Sequence, residues 1–113
     1  MQPQRIQRKR TKGWRMPENT TYVGRPSKWG NKYTVSLNPE GRWIVTNINT
    51  DVVISSALTQ RDAKQIACNM FKALIHETRP DLTELKGKNL ACWCKPGDPC
   101  HADLLLEYAN ATN

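Results

Sequence analysis

Leu90-Ala91-Cys92-Trp93-Cys94-Lys95-Pro96-Gly97-Asp98-Pro99-Cys100-His101 reads as a strand, a tight loop and the start of a helix. The apolar run Asn89 to Cys94 is short and bracketed by turn residues, which is the pattern of a central buried strand. Cys92 and Cys94 are two apart, so in a strand their side chains share one face. Asp98 suits a helix N-cap and Pro99 the first helical position. The spacing therefore predicts a helix from Pro99 to about Asn110, with Leu104, Leu105, Leu106 and Tyr108 on its inner side. Cys100 and His101 would then lie in its first turn, where unpaired backbone N–H groups favour a thiolate.

Upstream, Ala63, Ile66, Ala67, Met70, Phe71, Leu74 and Ile75 follow i, i+3, i+4, i+7 spacing and predict a one-sided helix. Thr59 and Asp62 resemble a capping box at its start, and Pro80 stops it. Cys68 sits off the apolar stripe and reads as a small, partly buried residue, and His76 as a structural residue near the helix end. Lys32 to Leu37 and Arg42 to Asn47, separated by Asn38-Pro39-Glu40-Gly41, predict a hairpin. Val52 to Ser55 adds a strand or leads into the helix. Thr21-Tyr22-Val23 reads as a short buried strand, and Gly24 to Asn31 as a loop. Helix, buried strand, tight loop and helix in succession predict an α/β fold with a small mixed sheet and two main helices, with α+β as the alternative. Residues 1–20 read as a basic N-terminal arm, ordered in part, with Gln4 to Arg10 a candidate first strand. Residues 21–113 read as a single α/β domain.

The 113 residues suit one domain. No window approaches the roughly 20 apolar residues of a membrane span, and the basic start lacks the apolar run of a signal peptide. A cytoplasmic, reducing setting is expected, in which the cysteines are not a disulfide framework. Residues 1–33 hold nine basic side chains against Glu18 alone, a net of +8, while residues 34–113 net −1. The whole excess of +7 thus lies in the first third, which points to phosphate-bearing partners or to a solvated basic arm.

Cys92, Cys94, Cys100 and His101 make a three-thiolate, one-imidazole set of the kind zinc accepts. The spacing departs from the usual C-x₂-C knuckle, since the pairs here are C-x-C and the adjacent Cys-His. A second reading makes Cys100 a nucleophile with His101 as its partner, the thiol activated by the helix start. In that setting Lys95 and the loop after the strand would meet a phosphate. A third reading leaves the cluster as core packing. The residues leave open whether the chain is an enzyme.

Two segments, Val23-Gly24-Arg25-Pro26-Ser27-Lys28-Trp29-Gly30-Asn31 and Gly87 to Cys94 with Cys100-His101-Ala102-Asp103-Leu104-Leu105, together resemble a small family of unknown function found widely in bacteriophages. The resemblance spans about residues 20–110. Where the family reads glycine-asparagine-proline-aromatic, this chain has Gly30-Asn31-Lys32-Tyr33. The resemblance implies a phage or bacterial origin and a shared site that includes Arg25, Ser27, Trp29, Gly30 and Asn31, with no reaction attached. In that loop Arg25 offers a planar fork for phosphate, Trp29 a face for a base or an anchor for the core, and Asn31 an amide.

The expected function is binding of a nucleotide or nucleic acid. Arg25, Ser27, Lys28, Trp29, Asn31 and Lys95 would contact the ligand beside a Cys/His cluster that zinc would fix. A nucleotide-directed enzyme using Cys100 and His101, and a phage protein that binds a host factor, are the alternatives.

Overall fold

The structure, a computed structural model, describes residues 2–111. The outer ends of the arm and domain drawn from sequence, residue 1 and residues 112–113, lie outside the described residues. Strands β1 (Arg5–Gln7), β2 (Thr20–Tyr22), β3 (Tyr33–Leu37), β4 (Trp43–Asn47) and β5 (Val52–Ala57) precede helix α1 (Gln60–Thr78). A 3₁₀ turn at Thr83–Leu85, strand β6 (Asn89–Cys92) and helix α2 (His101–Ala109) complete the chain. The fold class is the expected small α/β type. Its parallel and antiparallel parts form two sheets of three strands each, ordered β1-β6-β2 and β3-β4-β5.

In the first sheet β6 runs parallel to both neighbours, with Gln7 opposite Cys92 and Tyr22 opposite Ala91. Lying between two strands, β6 buries Leu90, Ala91 and Cys92, which explains its unbroken apolar reading. It ends at Cys92 rather than Cys94 because its partners end there. The last ladder bonds run from Arg8 N to Cys92 O (2.7 Å) and from Val23 N to Ala91 O (2.9 Å).

The second sheet is the expected hairpin plus β5. Asn38 closes the hairpin turn, its side-chain oxygen accepting from the N–H groups of Glu40 and Arg42. Gly41 supplies the positive φ of 81° that the turn requires.

Helix α1 packs across both sheets. Ala63 and Ala67, small residues that allow close approach, meet Val45 and Ala57 of the antiparallel sheet. Phe71 joins Val23, Leu85, Leu90 and Leu105 in the core beneath the parallel sheet. Thr59 caps α1 as expected, its hydroxyl accepting from Asp62 N at 3.1 Å. At the other end Arg79 takes a left-handed conformation before Pro80.

The start of α2 differs from the sequence expectation. Cys100 is the N-cap residue, with extended backbone (φ −150°, ψ 138°), and His101 is the first helical residue. Asp98 does not cap: its carboxylate instead accepts from Lys64 Nζ of α1 at 2.9 Å. Pro99 and Cys100 are therefore outside the helix, and the Cys100 sulfur points back at Cys92 instead of capping. Among the described residues no helix is long and apolar enough to cross a membrane.

Candidate metal and ligand site

All three parallel strands end at the same edge, and the residues that follow them converge there. Arg8 follows β1, Gly24 and Arg25 follow β2, and Trp93 and Cys94 follow β6. In α/β sheets this carboxyl edge is where ligands bind. Helix α2 starts at the same place, so Cys100 and His101 complete the rim.

The sulfurs of Cys92, Cys94 and Cys100 lie within 4.8 Å of one another, which brings together three of the four residues expected to bind metal. Cys100 Sγ donates to Cys92 Sγ at 3.3 Å. That hydrogen bond, a second from the Cys94 thiol, and the nearby Arg5 charge hold the Cys92 pKa far below that of a free thiol. Cys100 is held far above it, first by its bonds to Cys92 and Cys94 and then by burial. For Cys94 the bond from Cys100 favours the thiolate, but its bond to Cys92, burial and the Cys92 charge outweigh that and raise its pKa. Within the cluster the thiolate form is thus favoured at Cys92, and Cys100 and Cys94 favour keeping their protons.

His101 is buried, and its imidazole Nε2 lies 2.8 Å from the carbonyl of Val23. A carbonyl only accepts, so Nε2 carries the proton and Nδ1 has the lone pair. Nδ1 stands 3.9 Å from the Cys100 sulfur. Burial lowers the His101 pKa, which keeps the ring neutral. Phe71 fixes its plane with an edge contact at 5.2 Å between centroids.

Arg5, which lies in the basic arm and in the expected first strand that the structure forms as β1, organises the loop between Cys94 and Cys100 with its guanidinium. Arg5 Nη1 donates to the Asp98 carbonyl and to the Asp103 carboxylate, each at 2.9 Å, and Nη2 donates to the Lys95 carbonyl at 2.9 Å. Its side chain is only 12% exposed. Arg61 adds a bond to the Gly97 carbonyl at 3.2 Å. The loop is thus held by cations on its carbonyl oxygens, which fixes the spacing of the sulfurs at its two ends.

A cavity of about 250 Å³ opens against the sulfur cluster. It lies between the carboxyl edge of the parallel sheet and the face formed by α1 and β3. Arg25 and Asn31 line it together with Cys92, Cys94, Cys100 and His101, so the loop from the first third and the cysteine loop share one cavity. Gly30 permits this placement of Arg25, since a Cβ there would come within 2.8 Å of the Arg25 side chain and 3.1 Å of its backbone. Gly24 is required in the same way, because a Cβ would overlap the Tyr22 hydroxyl.

Other expected ligand residues lie outside the lining. Trp29 is half-buried and packs against the core of the parallel sheet. Ser27 accepts from Trp29 N, and Lys28 pairs with Glu84 at 2.9 Å. Lys95 contributes its carbonyl to Arg5. Even Asn31 has its amide engaged: Oδ1 accepts from Tyr33 N and Nδ2 donates to Ala67 O.

Lys64, Cys68 and Trp93 line the cavity without having been singled out. For Lys64 and Cys68 a signal existed: with Ala67 they stand at i, i+3 and i+4 on α1, a second stripe beside the apolar one. Arg5 and Trp93 carried none, because their partners are set by strand pairing across the length of the chain.

The fold and its edge define the class of protein: a small α/β domain with a three-thiol cluster in the wall of a ligand-sized cavity. Residues 6–111 match the family model described as Domain of unknown function (DUF4326), and the chain belongs to that family. No curated protein and no solved structure matches it.

Proposed function

We propose that this domain holds a zinc ion on Cys92, Cys94 and Cys100 and takes a phosphate-bearing nucleotide into the adjoining cavity. The observation that carries the reading is the shared cavity itself, lined by Arg25 and Lys64 together with the three sulfurs. Thiolates at about 2.3 Å from a tetrahedral zinc stand about 3.8 Å apart, and the three sulfurs here, with Cys92 and Cys100 at 3.3 Å and all within 4.8 Å of one another, are close enough to share an ion. His101 lies outside the group of three sulfurs and would have to move toward them to serve as the fourth donor in this reading. Its Nδ1 faces Cys100, and its other nitrogen is tied to a backbone carbonyl, as in most ligating histidines. Zinc, when bound, would cross-link the strand end to the helix start and fix the cavity wall.

Arg25 supplies phosphate recognition. One nitrogen donates to Asn31 O at 3.1 Å, which orients the guanidinium and leaves its remaining donors for a ligand. Lys64 lines the cavity from the helix side, with its charge paired to Asp98. The volume of about 250 Å³ lies just under the roughly 300–1,000 Å³ usual for small-molecule sites, so the occupant in this reading is a single nucleotide and not a base pair.

The reading with Cys100 as nucleophile has less support. Cys100 keeps its proton in a bond to Cys92, and the thiolate of the cluster, Cys92, is 1% exposed. The test is elemental analysis together with calorimetric titration of the zinc-loaded protein with nucleoside monophosphates. One zinc per chain is expected, with saturable binding that weakens about 10- to 100-fold in Arg25→Ala, the usual weight of a charged hydrogen bond. Absence of zinc, or nucleotide binding that ignores Arg25→Ala, would overturn the reading.

A further inference from the structure

A row of cations leaves the cavity rim along the segment that follows β1. Arg8, Lys9, Arg10, Lys12 and Arg15 fall within eight residues, and no acidic residue interrupts them. The ion pairs among the described residues engage Arg5, Lys28, Arg61 and Lys64, and none engages these five. Lys9, Arg10, Lys12 and Arg15 are exposed, while Arg8 is half-buried with its Nε out of reach of any hydrogen-bond partner, so the row carries uncompensated charge that raises the local potential for a polyanion.

The row is fastened to the site by an aromatic stack. The Arg8 guanidinium lies 4.6 Å from the Tyr22 ring centroid and 4.8 Å from that of Trp93, and the Arg10 guanidinium lies 4.6 Å from Trp93. Trp93 is held in place by its Nε1–H, which donates to the Tyr22 hydroxyl at 3.1 Å, while that hydroxyl donates to Arg25 O at 2.7 Å. Trp93 nonetheless remains 40% exposed, and it lines the cavity. Backbone pairing of Arg8 N with Cys92 O continues the ladder one residue past β1, so the row begins beside the sulfur cluster.

From this juxtaposition of uncompensated cations, a fixed and exposed indole, and a one-nucleotide cavity, we infer that the nucleotide arrives as part of a single-stranded nucleic acid. The phosphates next to it would lie along Arg8 to Arg15. Single strands are held by backbone charge combined with base stacking, and every base has a face to stack. A base on Trp93 would displace only the exposed Arg10 contact, a weaker partner for an indole than a base, and would free that guanidinium for phosphate. A duplex keeps its bases paired and could not fill the cavity. The inference rests on the proposed nucleotide-binding cavity.

The test uses the full, zinc-loaded chain and fluorescein-labelled 12-mers of single-stranded DNA and RNA. A matching duplex and phosphatidylserine vesicles are the comparison arms, and AMP, GMP, CMP and UMP are titrated in parallel. The single strands should bind best, with affinity falling about 10- to 30-fold between 50 and 200 mM salt, as for roughly three neutralised phosphates. The double variant Lys12→Ala/Arg15→Ala should lose tenfold or more for the oligonucleotide, with a shallower salt dependence and unchanged mononucleotide binding. Equal oligonucleotide affinity in the variant, or duplex or vesicle binding as strong as the single strand, would overturn the inference. So would capture of a protein through these residues with no oligonucleotide binding. Mononucleotide binding without any gain for the 12-mer would reject the strand path and keep the cavity. Oligonucleotide binding lost in the variant, with no mononucleotide bound, would reject the cavity and keep the basic row.

Discussion

Arg5 shows how much one side chain does here that spacing alone does not reveal. Cys92, Cys94, Cys100 and His101 were legible because they crowd into ten residues, and chemistry-bearing residues that close in sequence meet in almost any fold. Arg5 was not, since its carbonyl partners lie 90 and 93 residues away and only β1–β6 pairing brings them together. Truncating a largely buried side chain whose guanidinium satisfies two carbonyls and a carboxylate should destabilise the protein by about 2–4 kcal/mol. Chemical denaturation of Arg5→Ala, alongside zinc affinity by competition with a chromogenic chelator, checks this, and both stability and zinc affinity should fall. Cys68 gives a pH signature. Its thiol, 7% exposed, is pushed up from 9.0 to about 11, chiefly by burial. The unfolded chain ionises this thiol near pH 9 while the native protein keeps the proton, so stability falls as pH rises from 9 to 11 and is unaffected below that window. The loss attributable to Cys68 should reach about 2–3 kcal/mol by pH 11. Urea melts of wild type and Cys68→Ala across this range should diverge by that amount if the thiol is responsible.

At the scale of elements, α1 was read correctly from its stripe and its stop signal because a 19-residue helix has enough turns for the 3.6-residue period to declare itself. Removing its cap in Thr59→Ala should cost about 1 kcal/mol, measurable as a lower denaturation midpoint at unchanged slope. The short elements were harder. The expected cap Asp98 lost to a tertiary partner: Lys64 reaches its carboxylate, and α2 begins two residues later than the local signals suggest. Strand β1 has three residues and a charged surface, and nothing in such a fragment marks it as an edge of a buried sheet. Trp29 had two readings, and packing took it into the core, leaving Trp93 as the exposed indole at the cavity.

For the whole molecule, the proposed zinc makes stability depend on metal activity. Free zinc at 100 times its dissociation constant should add about 2.7 kcal/mol. Thermal melts should therefore separate by several degrees between zinc-loaded and chelator-treated protein, and Cys100→Ala should abolish the difference. Coincident melts would leave the three sulfurs a packing feature. The separation of the fold into a parallel and an antiparallel sheet also bears on how the chain finds its shape. Residues 33–78 hold the antiparallel sheet and α1 in one continuous stretch of short-range contacts. The parallel sheet is different, because its middle strand is the last to be synthesised, and both outer strands must wait for it. During translation β1 and β2, with the cationic segment between them, therefore have no sheet to join until β6 has been made. Pulse-labelled amide exchange should show residues 33–78 protected first and the backbone of Arg5–Gln7 and Thr20–Tyr22 last, in step with β6. The thiol cluster is built on that late strand, so its sulfurs reach their native spacing only when β6 has paired with both neighbours.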